Sequence, residues 1–206
     1  MKVGPTDLRR GLGRIAWATS LAAVGAAIGH AALHTDDGRE LDENLFKAAN
    51  AEHGEGADRF FGAITELGSL YAAAAAAGAL ALAGRPRQGA RALAGAAATW
   101  ALLQGAKRLV KRPRPFLAAP ESTRRMIAEP HGTSWPSSHP AVLTTFTRVA
   151  ARELGIGALG RAALTGLDVT VAASRVALGV HYPSDVASGL LFGRAVARLW
   201  PRDGRR

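Results

Sequence analysis

Three cationic side chains mark the part of the sequence where chemistry is predicted first. Lys107, Arg114 and Arg175 come from two separate segments of the chain. A phosphoryl group in transfer spreads negative charge over its equatorial oxygens, so catalysis depends largely on positioning and charge stabilisation. Arginine offers phosphate oxygens a planar fork of donors, and lysine acts as a point charge. Pro113 and Pro115 should hold the backbone at Arg114 extended. Together these residues predict a phosphate site.

Two histidines, His139 and His181, stand among motif residues and cations. A histidine nucleophile divides a transfer into formation and hydrolysis of a covalent intermediate. Asp185 is predicted to hold the His181 ring and to stabilise its positive form, as the third member of a catalytic triad does. Pro183 fits the first turn of a helix. His181 is therefore predicted just before that helix, with Asp185 reaching back to it.

Three serines accompany these residues. Ser137 and Ser138 lie where a helix should begin, and a helix amino terminus offers free N–H groups to phosphate. Serine is also a common helix cap, so phosphate binding and capping are both open interpretations. Ser174, beside Arg175, is predicted to support the phosphate site by hydrogen bonding, with a plain helix-interface serine as the alternative.

Three short motifs contain these residues. They are Lys107-x-x-x-x-x-x-Arg114-Pro115, Pro136-Ser137-Ser138-His139 and Ser174-Arg175-x-x-x-x-x-His181-x-x-x-Asp185. Together, in this order across residues 89–200, they resemble the tripartite signature of the type 2 phosphatidic acid phosphatase superfamily, which also includes bacterial class A acid phosphatases and vanadium haloperoxidases. The resemblance implies that His181 attacks phosphorus and His139 protonates the leaving oxygen. The family usually has glycine where this chain has Ser138, so a positive φ there would be costly.

The composition limits the other classes of function. The 206 residues predict a single domain over 1–206, and the absence of cysteine excludes disulfides, zinc fingers and thiol chemistry. The net charge of +10 suggests nucleic acid, but the basic residues mostly flank long apolar runs instead of gathering on one soluble face. We therefore predict no nucleic-acid partner.

Six apolar segments are predicted to form the fold, although the mean hydropathy is only +0.05. They cover residues 15–33, 67–84 (extended back to 60), 92–106 (extended to 89–110), 140–154, 158–180 and 186–200. About 20 residues span a hydrocarbon core, so the first two are good spans and the others are weaker alone. The prediction is an all-α integral membrane bundle of six transmembrane helices. A soluble alanine-rich bundle is disfavoured because residues 67–84 lack a polar stripe. A cleaved signal peptide is disfavoured because the first run is long for one.

The charges predict the orientation of this bundle. Basic residues precede the first segment, follow the second, flank the fourth-to-fifth connection and end the chain; they are Lys2, Arg9, Arg10, Arg14, Arg85, Arg87, Arg91, Arg152, Arg161, Arg202, Arg205 and Arg206. Positive residues stay cytoplasmic, so both termini are predicted inside and the loops at 35–58 and 111–137 outside. The cations near the second loop break this rule, and an anionic substrate explains them. Arg108, Lys111 and Arg112 are predicted to be membrane anchors.

Several smaller predictions follow from individual residues. Asp168 is predicted to pair with Arg148 or Arg194, because charges inside spans face the bundle interior. Two Gly-x-x-x-Gly segments, at 25–29 and 189–193, are predicted to allow close helix packing. The acidic first loop is predicted to be helical near 41–51 and to cover the site. His30 and His34 have helical metal-ligand spacing, but a metal site there is disfavoured; His53 and His131 are predicted in loops.

The resemblance implies a function for the whole. The chain is expected to hydrolyse a lipid phosphate or diphosphate at the outer face of a bacterial cell membrane, through a phosphohistidine and without a metal or other cofactor. Phosphatidic acid, phosphatidylglycerol phosphate and polyprenyl phosphates or diphosphates are the implied substrates, with a polyprenyl diphosphate preferred. The alternatives are a vanadate-dependent oxidase or soluble-type acid phosphatase, and a non-catalytic lipid-binding or transport protein. The oligomeric state is left open.

Overall fold

The computed structural model describes the backbone of residues 5–202 and the side chains of residues 8, 9 and 11–202. Lys2, Arg205, Arg206 and the side chain of Arg10, which contribute to the predicted charge pattern, lie outside the described residues. The α-helices are α1 (Pro5–His34), α2 (Asp36–Ala49), α3 (Glu55–Ile64), α4 (Leu70–Leu82), α5 (Pro86–Val110), α6 (Pro115–Ala118), α7 (Ser138–Glu153), α8 (Ala158–Ala177) and α9 (Pro183–Leu199). Residues 5–202 contain no strand, which confirms the all-α prediction for them.

Small residues bring the central helices together. A Cβ atom on Gly189 would lie 2.4 Å from the carbonyl oxygen of Ser137, and one on Gly193 would lie 2.5 Å from that of Ala141. On α1, Gly25 faces α9 and Gly29 lies under the indole of Trp135. The predicted close packing at both glycine pairs is confirmed, and it joins α1, α7 and α9 within one chain.

The predicted second span is broken. The apolar run predicted at 60–84 covers the second half of α3, a 3-10 turn and α4. The two halves of the broken span meet at an angle of 69°. Between them the 3-10 turn Thr65–Gly68 is polar, and the Ser69 hydroxyl accepts from the amide of Ala72 at 3.1 Å to begin α4. This cap starts a new helix axis, which is why the apolar run does not continue as one rod.

One helix, α1, contains a stretch long and apolar enough to cross a membrane alone, Gly11–His34. Within the described residues, the bent α3–α4 pair is the one further candidate, and it qualifies if its two helices are taken together as a single span. The arrangement of six spans and the sides of the termini therefore stay predictions.

The predicted pairing of Asp168 is confirmed for Arg148. Asp168 is fully buried, and its carboxylate lies 3.7 Å from Arg148 and accepts from the Thr147 hydroxyl at 3.0 Å. Arg148 also donates to Thr165 at 2.7 Å. These contacts tie α7 to α8, whereas Asp168 and Arg194 form no ion pair in the structure as described.

The helix predicted near 41–51 in the acidic first loop is α2, which begins five residues earlier and ends two residues earlier than predicted. The Thr35 hydroxyl caps it by accepting from the amide of Gly38 at 3.1 Å. Asp42 and Phe46, one turn apart, are its buried residues. The ring of Phe46 packs against Tyr182 at 5.4 Å, so α2 lies against the connection between α8 and α9.

Candidate active site

Arg114 is fixed by backbone oxygens beside His181. Its backbone is extended, as the flanking prolines predict, and its side chain is 4% exposed. Its guanidinium donates to the carbonyl oxygens of Gly132 and Val180, each at 2.9 Å, and of His131 at 3.3 Å. One nitrogen, Nη1, also lies 3.2 Å from Nε2 of His181. Nε2 of His181 therefore faces a buried cation.

Asp185 holds the other side of the His181 ring. Pro183 begins α9 and His181 lies just before it, as predicted. The Oδ2 atom of Asp185 lies 3.4 Å from His181 Nδ1, the long end of hydrogen-bond distance. The same oxygen accepts from the Tyr182 amide at 2.8 Å and from the Ser134 hydroxyl. A carboxylate held this way orients the ring and turns Nε2 toward Arg114.

Arg112 is buried, and its prediction as a membrane anchor is wrong. Its guanidinium donates to Asp185 Oδ1 at 2.8 Å, to Ser184 Oγ at 2.8 Å and to Asp42 Oδ2 at 2.7 Å, and it lies 4.0 Å over the Tyr182 ring. Two carboxylates in a buried site require a compensating charge, and a planar fork can satisfy both at once. Arg112 and Asp42 thus belong to the candidate site, and the sequence interpretation missed both.

A signal for Arg112 was present in the sequence. In an extended segment, side chains two residues apart point to the same side, so Arg112 shares a face with Arg114. The other two residues predicted as anchors, Arg108 and Lys111, are exposed. Asp42 had a weaker signal, because seven other acidic residues surround it in the same stretch of chain.

Lys107 lies at the carboxyl end of α5 and is 7% exposed. Its ammonium donates to the carbonyl oxygens of Thr133 at 2.6 Å and Ser134 at 3.4 Å. These contacts join α5 to the long loop that precedes α7. A lysine ammonium has three donors, so one remains for a ligand.

Two buried groups of the predicted phosphate site have unused hydrogen-bonding capacity. Arg175, 2% exposed, donates from Nη1 to the Thr65 hydroxyl at 2.9 Å, but its Nε has no partner among the described residues. The hydroxyl of Ser137, fully buried, has none there either. Buried polar groups are almost always hydrogen-bonded, so both atoms suit a ligand rich in acceptor oxygens.

The other two serines differ in their environments. Ser174 donates to the carbonyl oxygen of Val171 at 2.8 Å, which favours the interpretation as a helix-interface serine. Ser138 begins α7 and is not among the residues with positive φ, so the absence of glycine causes no strain there. Ser137 precedes it as the amino-terminal cap, without a side-chain cap bond.

His139 lies half-buried in the first turn of α7. The turn between α3 and α4 supports it closely, because a Cβ atom on Gly68 would lie 2.7 Å from the Cβ of His139. Among the described side chains, the hydrogen bonds to histidine ring nitrogens are those of His181, and none involves His139. The ring is therefore available to exchange a proton with a ligand.

Burial and the surrounding cations keep His181 neutral. Its burial, and then the charges of Arg114, Lys107 and Arg175, lower the pKa of His181 well below its ordinary value. Only the neutral ring has a lone pair on Nε2, so this environment suits a nucleophile.

Among the described residues, the remaining histidines contribute no side-chain contact to this arrangement, and His131 contributes its backbone carbonyl oxygen, which accepts from Arg114. His30 and His34 lie one turn apart on α1 with tilted rings whose centroids are 4.7 Å apart. The described residues contain no group of three or more ligands suited to a metal ion. His53 and His131 lie in loops, as predicted.

Comparison with known sequences supports the resemblance. The model of the PAP2 superfamily matches residues 88–205. The decaprenylphosphoryl-5-phosphoribose phosphatase of Mycobacterium tuberculosis is 39% identical over 122 residues, which are 59% of this chain and 64% of that protein. The protein of the same name from Mycolicibacterium smegmatis is 36% identical over 119 residues, 58% of this chain and 62% of that protein. The chain thus matches somewhat less than two thirds of the length of these relatives.

Two solved structures share the fold. LpxE of Aquifex aeolicus has a TM-score of 0.69 and 24% identity, covering 77% of this chain and 93% of that one. The first transmembrane PAP2 type phosphatidylglycerolphosphate phosphatase from Bacillus subtilis has a TM-score of 0.66 and 21% identity, covering 92% and 93%.

Proposed function

Because the chain belongs to the PAP2 superfamily, we propose that it is a membrane phosphatase that hydrolyses a phosphate group on a lipid through a covalent intermediate on His181. The observation that carries this proposal is the placement of the His181 ring. Asp185 lies on its Nδ1 side at 3.4 Å and Arg114 on its Nε2 side at 3.2 Å. A neutral, oriented imidazole next to a buried cation is suited to attack on phosphorus.

In the first step of the proposed reaction, Nε2 of His181 attacks phosphorus. A P–N bond forms, the bond from phosphorus to the leaving oxygen breaks, and His139 gives its proton to that oxygen. Asp185 stabilises the positive charge that develops on the His181 ring.

In the second step, water attacks the phosphohistidine and gives a proton to His139. The P–N bond breaks and inorganic phosphate leaves. Throughout, Lys107, Arg114 and Arg175 stabilise the charge on the equatorial oxygens. The Ser137 hydroxyl and the backbone N–H of Ser138 at the start of α7 also bind these oxygens, while the Ser137 amide donates to the carbonyl oxygen of Asp185 at 3.0 Å. Three cations supply this stabilisation, so the proposed mechanism requires no metal ion.

The proposed substrate carries its phosphate on a polyprenyl lipid. The two relatives at 39% and 36% identity are named for decaprenylphosphoryl-5-phosphoribose, a polyprenyl-linked sugar phosphate. A polyprenyl diphosphate shares the same tail. The phosphate is released either from a sugar phosphate head group or from a diphosphate, and the experiment below distinguishes the two.

The proposed membrane arrangement has six spans: α1, the bent α3–α4 pair, α5, α7, α8 and α9, with both termini cytoplasmic. The site residues at the end of α5, the start of α7, the end of α8 and the start of α9 meet at one end of the bundle, as alternating spans require. Exposed apolar side chains such as Leu82 (94%) and Leu109 (85%) suit contact with lipid. The positive-inside rule then puts the site on the outer face.

Phosphate release by the purified protein in detergent tests this proposal. The panel contains decaprenylphosphoryl-5-phosphoribose, a polyprenyl diphosphate, phosphatidylglycerol phosphate and phosphatidic acid, each with and without chelator. We expect release from the polyprenyl substrates that survives chelator and is lost in His181→Ala, with Arg108→Gln as the exposed control that retains it.

Release that persists in a correctly folded His181→Ala protein would contradict the histidine mechanism. Release from none of the four lipids, with a folded wild-type protein, would favour a lipid-binding function.

A further inference from the structure

A cleft lined by several arginines lies at the opposite end of the bundle from His181. This cleft, with a volume of about 820 Å³, opens between α1, α7, α8 and α9. Arg148, Arg161 and Arg194 are among its lining residues, with Trp17 and Leu21 on α1. Arg148 follows the start of α7 by ten residues, which puts it roughly 15 Å along the helix axis from the active-site end. The cleft is therefore separate from the proposed catalytic site.

The arginines of the cleft have few anionic partners. No carboxylate of the described residues lies within 4.0 Å of Arg161 or Arg194. Arg148 reaches Asp168 at 3.7 Å, yet its Nε is buried without a hydrogen-bond partner in the described part of the chain. Like charges gathered in a concave site repel each other unless an anion binds between them. Guanidinium forks fit phosphate oxygens in particular.

The depth of the cleft favours a lipid over a free anion. Arg148 and Arg194 each lie five residues before the last residue of their helix, or about 7 Å below the helix end. Trp17, 57% exposed, stands on the neighbouring helix with Leu21 one turn further toward the membrane centre. Tryptophan is enriched at head-group depth, and Leu21 extends the wall toward the acyl chains.

We propose that this cleft binds the phosphate head group of an anionic phospholipid from the cytoplasmic leaflet. Arg161 and Arg194 contact the phosphate, and an acyl chain runs along Trp17 and Leu21. The site lies between α1 and the helices that carry the catalytic motifs, so the bound lipid fills a gap at their junction. This inference rests on the membrane arrangement proposed above, and not on the reaction at His181.

Thermal unfolding of the full chain in neutral detergent tests the site. The protein is titrated with dioleoyl phosphatidylglycerol, with dioleoyl phosphatidylcholine and with inorganic phosphate. We expect a saturable rise in unfolding temperature with phosphatidylglycerol alone. The double variant Arg161→Gln/Arg194→Gln is expected to need about tenfold or more phosphatidylglycerol for half-saturation, since hydrogen bonds to charged groups are lost.

The matched control is Arg85→Gln/Arg87→Gln. It removes the same charge from exposed positions at the same end of the bundle but outside the cleft, and it should leave half-saturation unchanged. Equal weakening in this control would show diffuse attraction to a basic surface and overturn the proposal. An equal rise with inorganic phosphate would overturn it in favour of a free-phosphate site.

Trp17→Ala provides a second test that changes no charge. Trp17 is exposed, so its loss should not unfold the protein, but it removes the proposed wall for the acyl chain. We expect half-saturation by phosphatidylglycerol to rise several-fold. An unchanged value in both Trp17→Ala and the arginine variant would overturn the site. Phosphate release is not measured, so failure here leaves the proposed reaction untouched.

Discussion

Arg112 connects the carboxylate that orients His181 to the amino-terminal half of the chain. Its guanidinium bridges Asp185 on α9 and Asp42 on α2, and Asp42 in turn accepts from the Ser184 amide at 2.8 Å. Groups that orient a ligating or catalytic side chain commonly matter almost as much as the side chain itself. At the scale of single residues, Arg112 is therefore a positioning residue for the proposed nucleophile.

Replacing Arg112 should impair the reaction and the fold together. Arg112→Gln leaves two buried carboxylates without their shared cation, which should cost about 3–5 kcal/mol in the free energy of unfolding. With Asp185 no longer fixed, we expect kcat to fall roughly 10- to 100-fold with a smaller change in KM. Steady-state kinetics and denaturant unfolding measure both effects.

Lys111→Gln is the control for Arg112, because it removes the same charge from an exposed neighbour. Arg112→Lys should recover part of kcat, since it restores the charge but not the fork. Wild-type kcat in folded Arg112→Gln would show that Asp185 does not depend on this bridge.

The pH dependence should report the environment of His181. The pKa of His181 is lowered by burial and by nearby cations, so the ring stays neutral at pH 7 and protonates only well below its ordinary value. The acidic limb of kcat/KM attributable to His181 should therefore lie below pH ~6.5. Arg114→Gln removes the largest cationic contribution and should move that limb to higher pH, although kcat falls.

The wild type and Arg114→Gln act on the same substrate, so its ionisation affects both pH profiles equally. A difference between their acidic limbs therefore arises from a group on the protein. A limb that does not move in Arg114→Gln, or that moves to lower pH, would contradict the assignment of His181 as the titrating group.

At the scale of elements, the broken second span is what the sequence predicted least well. Hydropathy describes residues 60–84 as one run, because it averages over the single polar turn at 65–68. The Ser69 cap was the available signal for a new helix. The helices that carry the motifs were predicted within a few residues, since prolines and serines mark where α7 and α9 begin. Contacts such as Arg112–Asp42 could not be predicted, because partners 70 residues apart have no characteristic spacing.

The bend brings Gly68 against His139, and Gly68→Ala tests that contact. A Cβ atom would lie 2.7 Å from the Cβ of His139 and 3.0 Å from Val171, so the turn must shift. We expect kcat to fall about tenfold, because misplacement of a catalytic group by a fraction of an ångström is costly. Kinetics with the best lipid substrate measure this.

Gly62→Ala is the matched control, since a Cβ atom there meets nothing within 4 Å. If Gly68→Ala and Gly62→Ala retain kcat equally, the turn does not position His139.

At the scale of the whole molecule, the helices separate two cationic regions. His181 and its cations lie at one end, and the arginine-lined cleft lies at the other, where α7 and α9 finish. Large apolar side chains are exposed on several helices, which suits a protein that contacts hydrocarbon. Hydropathy alone gives only a weak indication of membrane contact, because alanine and glycine dilute the apolar signal of most helices.

The chain has no cysteine, so single introduced cysteines can report which end faces which side. Glu43→Cys on α2 and Arg87→Cys on α5 are exposed and lie at opposite ends. In intact cells we expect an impermeant maleimide to label position 43 and not position 87, because six spans put them on opposite faces. Labelling at 87 but not at 43 would invert the arrangement, and labelling at neither until lysis would place both inside.

The bridge from Arg112 to Asp42 has a consequence for how the chain can be divided. Residues 88–205 match the family, but Asp42, which completes the bridge, and Thr65, which holds Arg175, both precede them. A fragment beginning at Arg85 would hold all three motifs and lack these two partners. Cutting the chain at the exposed turn of Gly84 should therefore give two halves that are inactive when separate. Return of the proposed phosphatase activity on mixing would report that the halves have reassembled.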